Sequence, residues 1–184
     1  MFIQTEQTPN PATLKFLPGC AVMASGTANF TTPDAARRSP LAERLFELDE
    51  VTGVFLGADF ITVTKGGDGD WHQLKPAVLA AVMEHFTAGR PIIEGGTIGD
   101  AAAGAEEEDD EVVSQIKELL ETRVRPAVAQ DGGDIIFHDF TDGIVYLHMQ
   151  GSCSGCPSST ATLKAGIENM LRHYIPEVVE VRAI

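Results

Sequence analysis

The sequence predicts an α+β fold class, with two small α+β domains joined by a flexible acidic linker. Two observations support this prediction. Helix-like and strand-like apolar patterns occur together in both halves of the chain, and a Gly/Ala-rich stretch that ends in a run of acids separates the halves. We place the first domain at residues 1–94, the linker at residues 95–110 and the second domain at residues 111–184.

The front half is predicted to be a small unit of strands and two helices. We expect strands at 2–5 and 13–16, a hairpin of the strands 51–57 and 60–64, and helices at 40–48 and 74–87. Ser39 can cap the first helix, and Pro40 suits its first turn. The polar segment Gly66 to Asp70 has aspartate spacing that weakly suggests calcium, but a plain turn is the favoured interpretation. Trp71 is expected to be partly buried, with a contact surface as the alternative.

The back half is predicted to be a second unit of the same class. We expect helices at 111–123 and 158–173, a short helix ending at Gln130, and strands at 135–140, 144–149 and 178–181. Arg125-Pro126 should interrupt the first helix, because proline removes a backbone donor. Asp142-Gly143 between two apolar runs indicates a hairpin. For Asp131 to Asp134, turn geometry explains the glycines, and direct contact with a bound group is the less favoured alternative.

The charge of the chain restricts its partners. The 184 residues carry a formal net charge of −14, which argues against nucleic acid and anionic membranes as partners. Seven acids and no base lie between positions 100 and 111: Asp100, Glu106, Glu107, Glu108, Asp109, Asp110 and Glu111. No apolar run is long enough for a membrane span, and the N-terminus has no signal-peptide pattern. We expect a cytoplasmic protein, with the mature form of an organelle protein as the alternative.

The stretch Gly151 to Pro157 carries the candidate chemistry, and we call it the cysteine loop. Its Cys153 and Cys156 form a C-x-x-C between a strand and a helix start, where unpaired N–H groups favour thiolate. Two thiolates are half of the four ligands that an iron–sulfur cubane or a tetrahedral zinc site needs. A symmetric dimer sharing one cluster is the economical solution. A redox dithiol and a zinc site that recruits His138, His148 or His173 stay open.

The motifs resemble those of a known family. The back half is similar to the NifU C-terminal domain in Val124-Arg125-Pro126, in Asp131-Gly132-Gly133-Asp134 and in the segment from Gly151 to Thr160. The front half resembles the Nfu N-terminal domain in the segment from Thr5 to Gly19. This domain order looks like the mitochondrial and alphaproteobacterial type, and we expect a bacterial source.

The resemblance implies a scaffold or carrier without turnover chemistry. Such proteins bind a 4Fe–4S cluster bridged between two subunits and transfer it to apo iron–sulfur proteins, working with cluster assembly proteins. Cys153 and Cys156 match the ligand positions, and the homodimer forms on cluster binding. Cys20 lies outside this motif and is expected to be incidental. The alternative function is a thiol–disulfide oxidoreductase that uses the same two cysteines.

Overall fold

A computed structural model of the chain describes residues 1–94, 110–154 and 157–184, with the backbone alone at 157–159. The chain divides into two compact units, Met1–Asp100 and Ala101–Ile184, which we call the front unit and the back unit. Each unit combines helices with a sheet, which confirms the predicted α+β class. The predicted linker lies outside the described residues except for Asp110, so its boundaries stay a prediction.

The front unit is built on a five-stranded antiparallel sheet in the order β1-β2-β5-β4-β3. Its strands are β1 (Gln4–Gln7), β2 (Thr13–Leu17), β3 (Ala28–Phe30), β4 (Val51–Leu56) and β5 (Ile61–Lys65). The predicted hairpin of β4 and β5 is confirmed. Strand β3 was not predicted, because three residues are too few for an alternating pattern to stand out.

Within residues 1–94, three helices accompany this sheet: α1 (Pro33–Ala36), α2 (Pro40–Phe46) and α3 (Trp71–Thr87). The four-residue α1 was not predicted. Ser39 caps α2 as predicted, since its hydroxyl accepts the Ala42 N–H at 3.2 Å. Helix α3 begins three residues earlier than predicted, because the Asp70 carboxylate accepts the His72 N–H at 2.9 Å.

The polar segment before α3 is a plain turn, as favoured. The Gly69 N–H donates to the Gly66 carbonyl at 3.1 Å, and Asp70 serves as the helix cap. Trp71 is partly buried against the core, and its Nε1 donates to the Pro11 carbonyl at 3.2 Å. That confirms the expected partial burial of Trp71. The front-unit core is completed by the apolar faces of the sheet and of helices α2 and α3.

The back unit contains a three-stranded sheet in the order β6-β7-β8. Its strands are β6 (Gly133–Thr141), β7 (Ile144–Gly151) and β8 (Glu180–Ala183). The predicted hairpin of β6 and β7 is confirmed, with Asp142 and Gly143 both at positive φ, 52° and 78°. A shift in register between Phe137 and Asp139 marks a bulge in β6.

Strand β8 corrects the sequence-based description of this unit. It pairs in parallel with β7, after the long helix α6 (Pro157–Tyr174) has returned the chain to the start of the sheet. A crossover of this length is what parallel neighbours require. The cysteine loop therefore joins the strand and the helix of a βαβ unit. From the sequence, the strand before the loop was expected only in an antiparallel hairpin.

The helical segment before β6 runs without a break, so the predicted interruption at Arg125-Pro126 is limited to a π-helical turn, and the predicted short helix ending at Gln130 is confirmed. Helix α4 (Glu111–Leu119) passes through a π-helical turn (Leu120–Val124) into α5 (Arg125–Gln130). The Arg125 N–H bonds to the Leu120 carbonyl, five residues back. Pro126 cannot donate in an α-helical ladder and its ring crowds the carbonyl four residues back, so the wider turn accommodates it.

One face of this sheet packs against the helices. The buried core includes Ile116, Leu120, Val128, Ile135, Val145, Leu147, Ile167, Leu171 and Val181. Among the described residues, no helix combines the length and the apolar character that a membrane span needs.

Candidate functional site at the cysteine loop

Cys153 lies in the turn that follows β7, and its side chain points into the back unit. Only 6% of the residue is exposed, and it belongs to the hydrophobic core of that unit. Gly151 has a φ of 64°, and its carbonyl accepts the Ser154 N–H at 3.1 Å, which closes the turn. Cys156, the second predicted ligand, lies outside the described residues.

The segment Asp131–Asp134, which we call the aspartate–glycine turn, packs directly behind Cys153. Gly132 has a φ of 80°, so turn geometry accounts for this glycine as predicted. Gly133 has a further reason. It is paired with Gly151, and a Cβ atom added to it would lie 2.6 Å from the Cys153 Sγ and 2.8 Å from the Gln150 carbonyl oxygen. Turn geometry alone therefore does not explain both glycines.

Hydrogen bonds fix the backbone of the cysteine loop on two sides. The Ser152 N–H donates to the Gly132 carbonyl at 3.2 Å, and the Ser152 hydroxyl donates to the Asp131 carbonyl. The Thr160 hydroxyl, in the first turns of α6, donates to the Cys153 carbonyl at 3.0 Å. Cys153 is thus held between the aspartate–glycine turn and the start of the following helix.

The thiol of Cys153 is protonated at neutral pH in this arrangement. Burial raises its pKa to about 11, the nearby charges of Asp131 and Asp134 act in the same direction, and the polar side chain of Ser152 partly offsets them. The expected stabilisation of thiolate at a helix start is therefore wrong for Cys153. Its sulfur lies against Gly133 in the core, so desolvation outweighs the helix-terminus effect.

A bidentate ion pair supports the aspartate–glycine turn. Arg125 donates from Nε and Nη2 to the two carboxylate oxygens of Asp134, at 2.9 and 2.8 Å, and from Nη1 to Glu121 at 2.7 Å. The Asp134 side chain is 4% exposed and that of Arg125 is 24% exposed. Asp134 also accepts the Ile135 N–H at 2.8 Å. These hydrogen bonds raise the pKa of Arg125 further above its ordinary range.

The other candidate ligands are placed on exposed surfaces. Cys20 is exposed in the front unit. His138 in β6 and His148 in β7 are exposed, and His173 is exposed near the end of α6, where its ring packs edge-on against Tyr174. Within residues 1–94, 110–154 and 157–184, no three His, Cys, Asp or Glu side chains are grouped so that they could hold a metal ion.

Two sequence families match this chain, one in each unit. Residues 3–89 match the family described as scaffold protein Nfu/NifU N terminal, and residues 116–182 match the NifU-like domain. The second match contains the aspartate–glycine turn, the cysteine loop and helix α6. The chain belongs to the Nfu/NifU scaffold protein family.

Relatives that match nearly the whole of this chain agree with this assignment to the Nfu/NifU family. The NFU1 iron-sulfur cluster scaffold homolog, mitochondrial, of Homo sapiens is 55% identical over 100% of this chain and 72% of its own length. The protein of the same name from Drosophila ananassae is 52% identical over 100% of this chain and 64% of its own length. NifU-like protein 4, mitochondrial, of Arabidopsis thaliana is 54% identical over 97% of this chain and 64% of its own length.

Sequence reasoning missed the residues around Cys153 in this Nfu/NifU chain. Gly133, Arg125 and Thr160 all contact or support the cysteine loop, and none of them was assigned this role from the sequence. Counting back from the Asp142-Gly143 turn could have found Gly133, because the hairpin register brings it to the level of the loop. The bulge in β6 shifts that count by one residue.

Proposed function

We propose that this chain is an iron–sulfur cluster scaffold or carrier. Cys153 and Cys156 of two subunits together hold one 4Fe–4S cluster, and the cluster is the cargo that passes to apo-proteins. The observation that carries the proposal is that the C-x-x-C lies inside the NifU-like match at residues 116–182. The names of the relatives, which describe scaffolds for iron–sulfur clusters, support the same assignment.

The ligand count leads to the dimer. A cubane cluster needs four protein thiolates, and the NifU-like part of the chain has two. A twofold axis through the cluster would supply the other two from an identical loop. Cargo held by two thiolates per subunit can leave by stepwise exchange with the thiolates of a recipient. A carrier needs such exchange, and we propose no turnover chemistry.

The burial of Cys153 adds one requirement to this proposal. Cys153 is buried, with 6% of the residue exposed, whereas a ligand shared with a second subunit has to reach the surface of its own subunit. The side chain must therefore become accessible before the cluster binds, and the thiol must lose its proton as it coordinates iron. Loading should for this reason be slower than a diffusional encounter between the protein and iron.

A thiol–disulfide oxidoreductase is the second candidate. The parallel pairing of β7 with β8 favours it more than the sequence did, because C-x-x-C redox sites also occur at the start of a helix in βαβ units. The state of Cys153 weighs against it, because the attacking species in disulfide exchange is an accessible thiolate. A buried thiol whose pKa is raised to about 11 is a poor nucleophile.

Anaerobic reconstitution with iron and sulfide tests the proposal. We expect a broad brown absorbance, about four irons and four sulfides per two chains, and a shift from monomer to dimer on loading. Cys153→Ala and Cys156→Ala should each abolish binding. Cys20→Ser is the matched control, because it removes a thiol that lies in the front unit, and it should load like the unmodified chain.

Three outcomes would contradict the scaffold assignment. Loading that survives the loss of both Cys153 and Cys156 would place the cluster elsewhere. Catalytic reduction of a test disulfide by iron-free protein would favour the oxidoreductase. Stoichiometric zinc bound through a histidine would favour the structural zinc site.

Partners and compartment follow from the same proposal. The partners are apo iron–sulfur proteins and cluster assembly proteins, with the front unit available for their recognition. The compartment is either the bacterial cytoplasm, as the sequence predicts, or the mitochondrial matrix, which the names of the relatives favour. Fractionation of the source cells would decide between them.

A further inference from the structure

The ion pair between Arg125 and Asp134 has no assigned role in the cluster binding proposed above. Neither side chain is a ligand, yet the pair is bidentate and mostly buried, with N–O distances of 2.9 and 2.8 Å. Breaking a buried ion pair by removing one partner is strongly destabilising, because the other charge is left desolvated. A pair of this quality beside a binding loop therefore suggests a role in that loop.

The pair is connected to Cys153 through the aspartate–glycine turn. Asp134 follows Gly133 directly, and the Gly133 Cα faces the Cys153 Sγ so closely that no Cβ fits between them. On the other side of the same turn, the Gly132 carbonyl accepts the Ser152 N–H at 3.2 Å. Holding Asp134 in place therefore also holds Gly133, against which the Cys153 sulfur packs.

Arg125, in the helical segment before β6, holds the aspartate–glycine turn through its contact with Asp134. The π-helical turn Leu120–Val124 lies immediately before it, and the Arg125 backbone N–H bonds to the Leu120 carbonyl. Glu121, one turn earlier, accepts from the remaining Nη1 at 2.7 Å. The guanidinium is therefore bonded on two sides, which leaves the carboxylate of Asp134 little freedom to move.

We propose that Arg125 and Asp134 are positioning residues that hold the aspartate–glycine turn against Cys153 and so limit how often its thiol becomes accessible. The proposal deepens the scaffold function, on which its meaning for cargo rests. A loop held in this way keeps the thiol protected in the empty protein. It also sets how readily Cys153 can reach, and later release, the cluster.

The thiol accessibility of Cys153 can be measured without any cluster. The chain has three cysteines, so Cys20→Ser with Cys156→Ser leaves Cys153 as the sole thiol of the full chain. Its reaction with Ellman's reagent at fixed pH then reports how often the loop opens. We expect Arg125→Gln and Asp134→Asn each to accelerate the reaction at least tenfold, which corresponds to about 1.4 kcal/mol in the cost of opening.

The two single variants control for the effect of charge on the thiol. Losing the positive charge of Arg125 by itself favours the thiol over the thiolate and would slow the reaction. Losing the negative charge of Asp134 would accelerate it. A rise in both variants therefore reports exposure of the sulfur. Arg182→Gln is the matched control, since it breaks the exposed pair with Glu180 on β8 and should change the rate less than twofold.

Two further measurements separate positioning from a general loss of stability. The double variant Arg125→Gln/Asp134→Asn should react no faster than the faster single variant, because it leaves no unpaired buried charge. Amide exchange of core residues Leu147 and Leu171 should rise less than the thiol reactivity. Arg125→Lys keeps the charge but loses the bidentate contact, and it should give an intermediate rate. It carries the test if the glutamine variant does not fold.

Several results would overturn the positioning role. Unchanged thiol reactivity in Arg125→Gln and Asp134→Asn would do so. Thiol reactivity that rises only in step with core amide exchange would make the pair a general stabiliser, and strictly additive effects in the double variant would show that the two residues act separately. These readings use empty protein. If the chain fails to bind a cluster, the scaffold function fails while the test of Arg125 and Asp134 still stands.

Discussion

Gly133→Ala is the substitution that tests the architecture of the cysteine loop most simply. The added Cβ would lie 2.6 Å from the Cys153 Sγ, 2.8 Å from the Gln150 carbonyl oxygen and 3.1 Å from the Cys153 backbone nitrogen. Ordinary contact begins near 3.4 Å, so the sulfur must retreat from 2.6 Å to about that distance. The carbonyl must also move, and it belongs to the backbone of β7.

The expected cost follows from these contacts. Overpacking a well-filled core costs about 1–3 kcal/mol, and a backbone partner places this site in the upper part of that range. Alanine recovers about 0.5–1 kcal/mol by restricting the unfolded chain. We therefore expect Gly133→Ala to destabilise the back unit by about 1–2 kcal/mol. Cys153 should also become more reactive toward Ellman's reagent, because its sulfur is displaced from the core.

Gly166→Ala is the matched control on the same unit. Gly166 lies inside α6, and an added Cβ meets no atom within 4 Å, so alanine should stabilise the helix by about 0.5–1 kcal/mol. Urea unfolding followed by the amide NMR signals of Leu147 and Leu171 reads the back unit, because both residues lie in its core. A Gly133→Ala protein with unaltered stability and unaltered thiol reactivity would refute the described packing around Cys153.

Three further predictions concern residues outside the cysteine loop. The pKa of His85 is lowered from 6.5 by burial and by the charge of Arg90, so the unfolded chain takes up a proton at higher pH than the folded chain. The front unit should therefore lose stability as pH falls below about 6.5. His85→Gln should remove this pH dependence of the urea midpoint. Gly143→Ala should lower the stability of the back unit by about 1–3 kcal/mol, because φ is 78° and the new Cβ would lie 2.8 Å from Val179; equal urea midpoints would contradict the turn geometry. Cys20→Ser should leave both the urea midpoint and iron loading unchanged, and a loss of iron would give Cys20 a ligand role.

The elements that could be predicted are those with strong local signals. Ser39-Pro40 fixed the start of α2, and Asp142-Gly143 fixed the β6–β7 hairpin, because caps and tight turns depend on a few adjacent residues. The two-unit α+β class followed from the same local patterns. Strand β3 and helix α1 were missed, because elements of three and four residues leave no periodic trace.

The features that could not be predicted depend on contacts distant in sequence. The parallel pairing of β7 with β8 is decided by where α6 returns the chain. The π-helical turn before Arg125 is a compromise between Pro126 and continued packing of Leu120 and Val124 in the core. The burial of Cys153 against Gly133 reversed the expected thiolate character, because a helix start acts locally whereas desolvation depends on the whole unit.

The mass of the iron-loaded protein tests the central claim most directly. Native mass spectrometry of the anaerobically reconstituted full chain should show two chains with one cluster of about four irons and four sulfides. Neither Cys153→Ala nor Cys156→Ala should give this species, whereas Cys20→Ser should. A complete cluster on a single chain, or a loaded dimer that persists without both Cys153 and Cys156, would contradict the shared site.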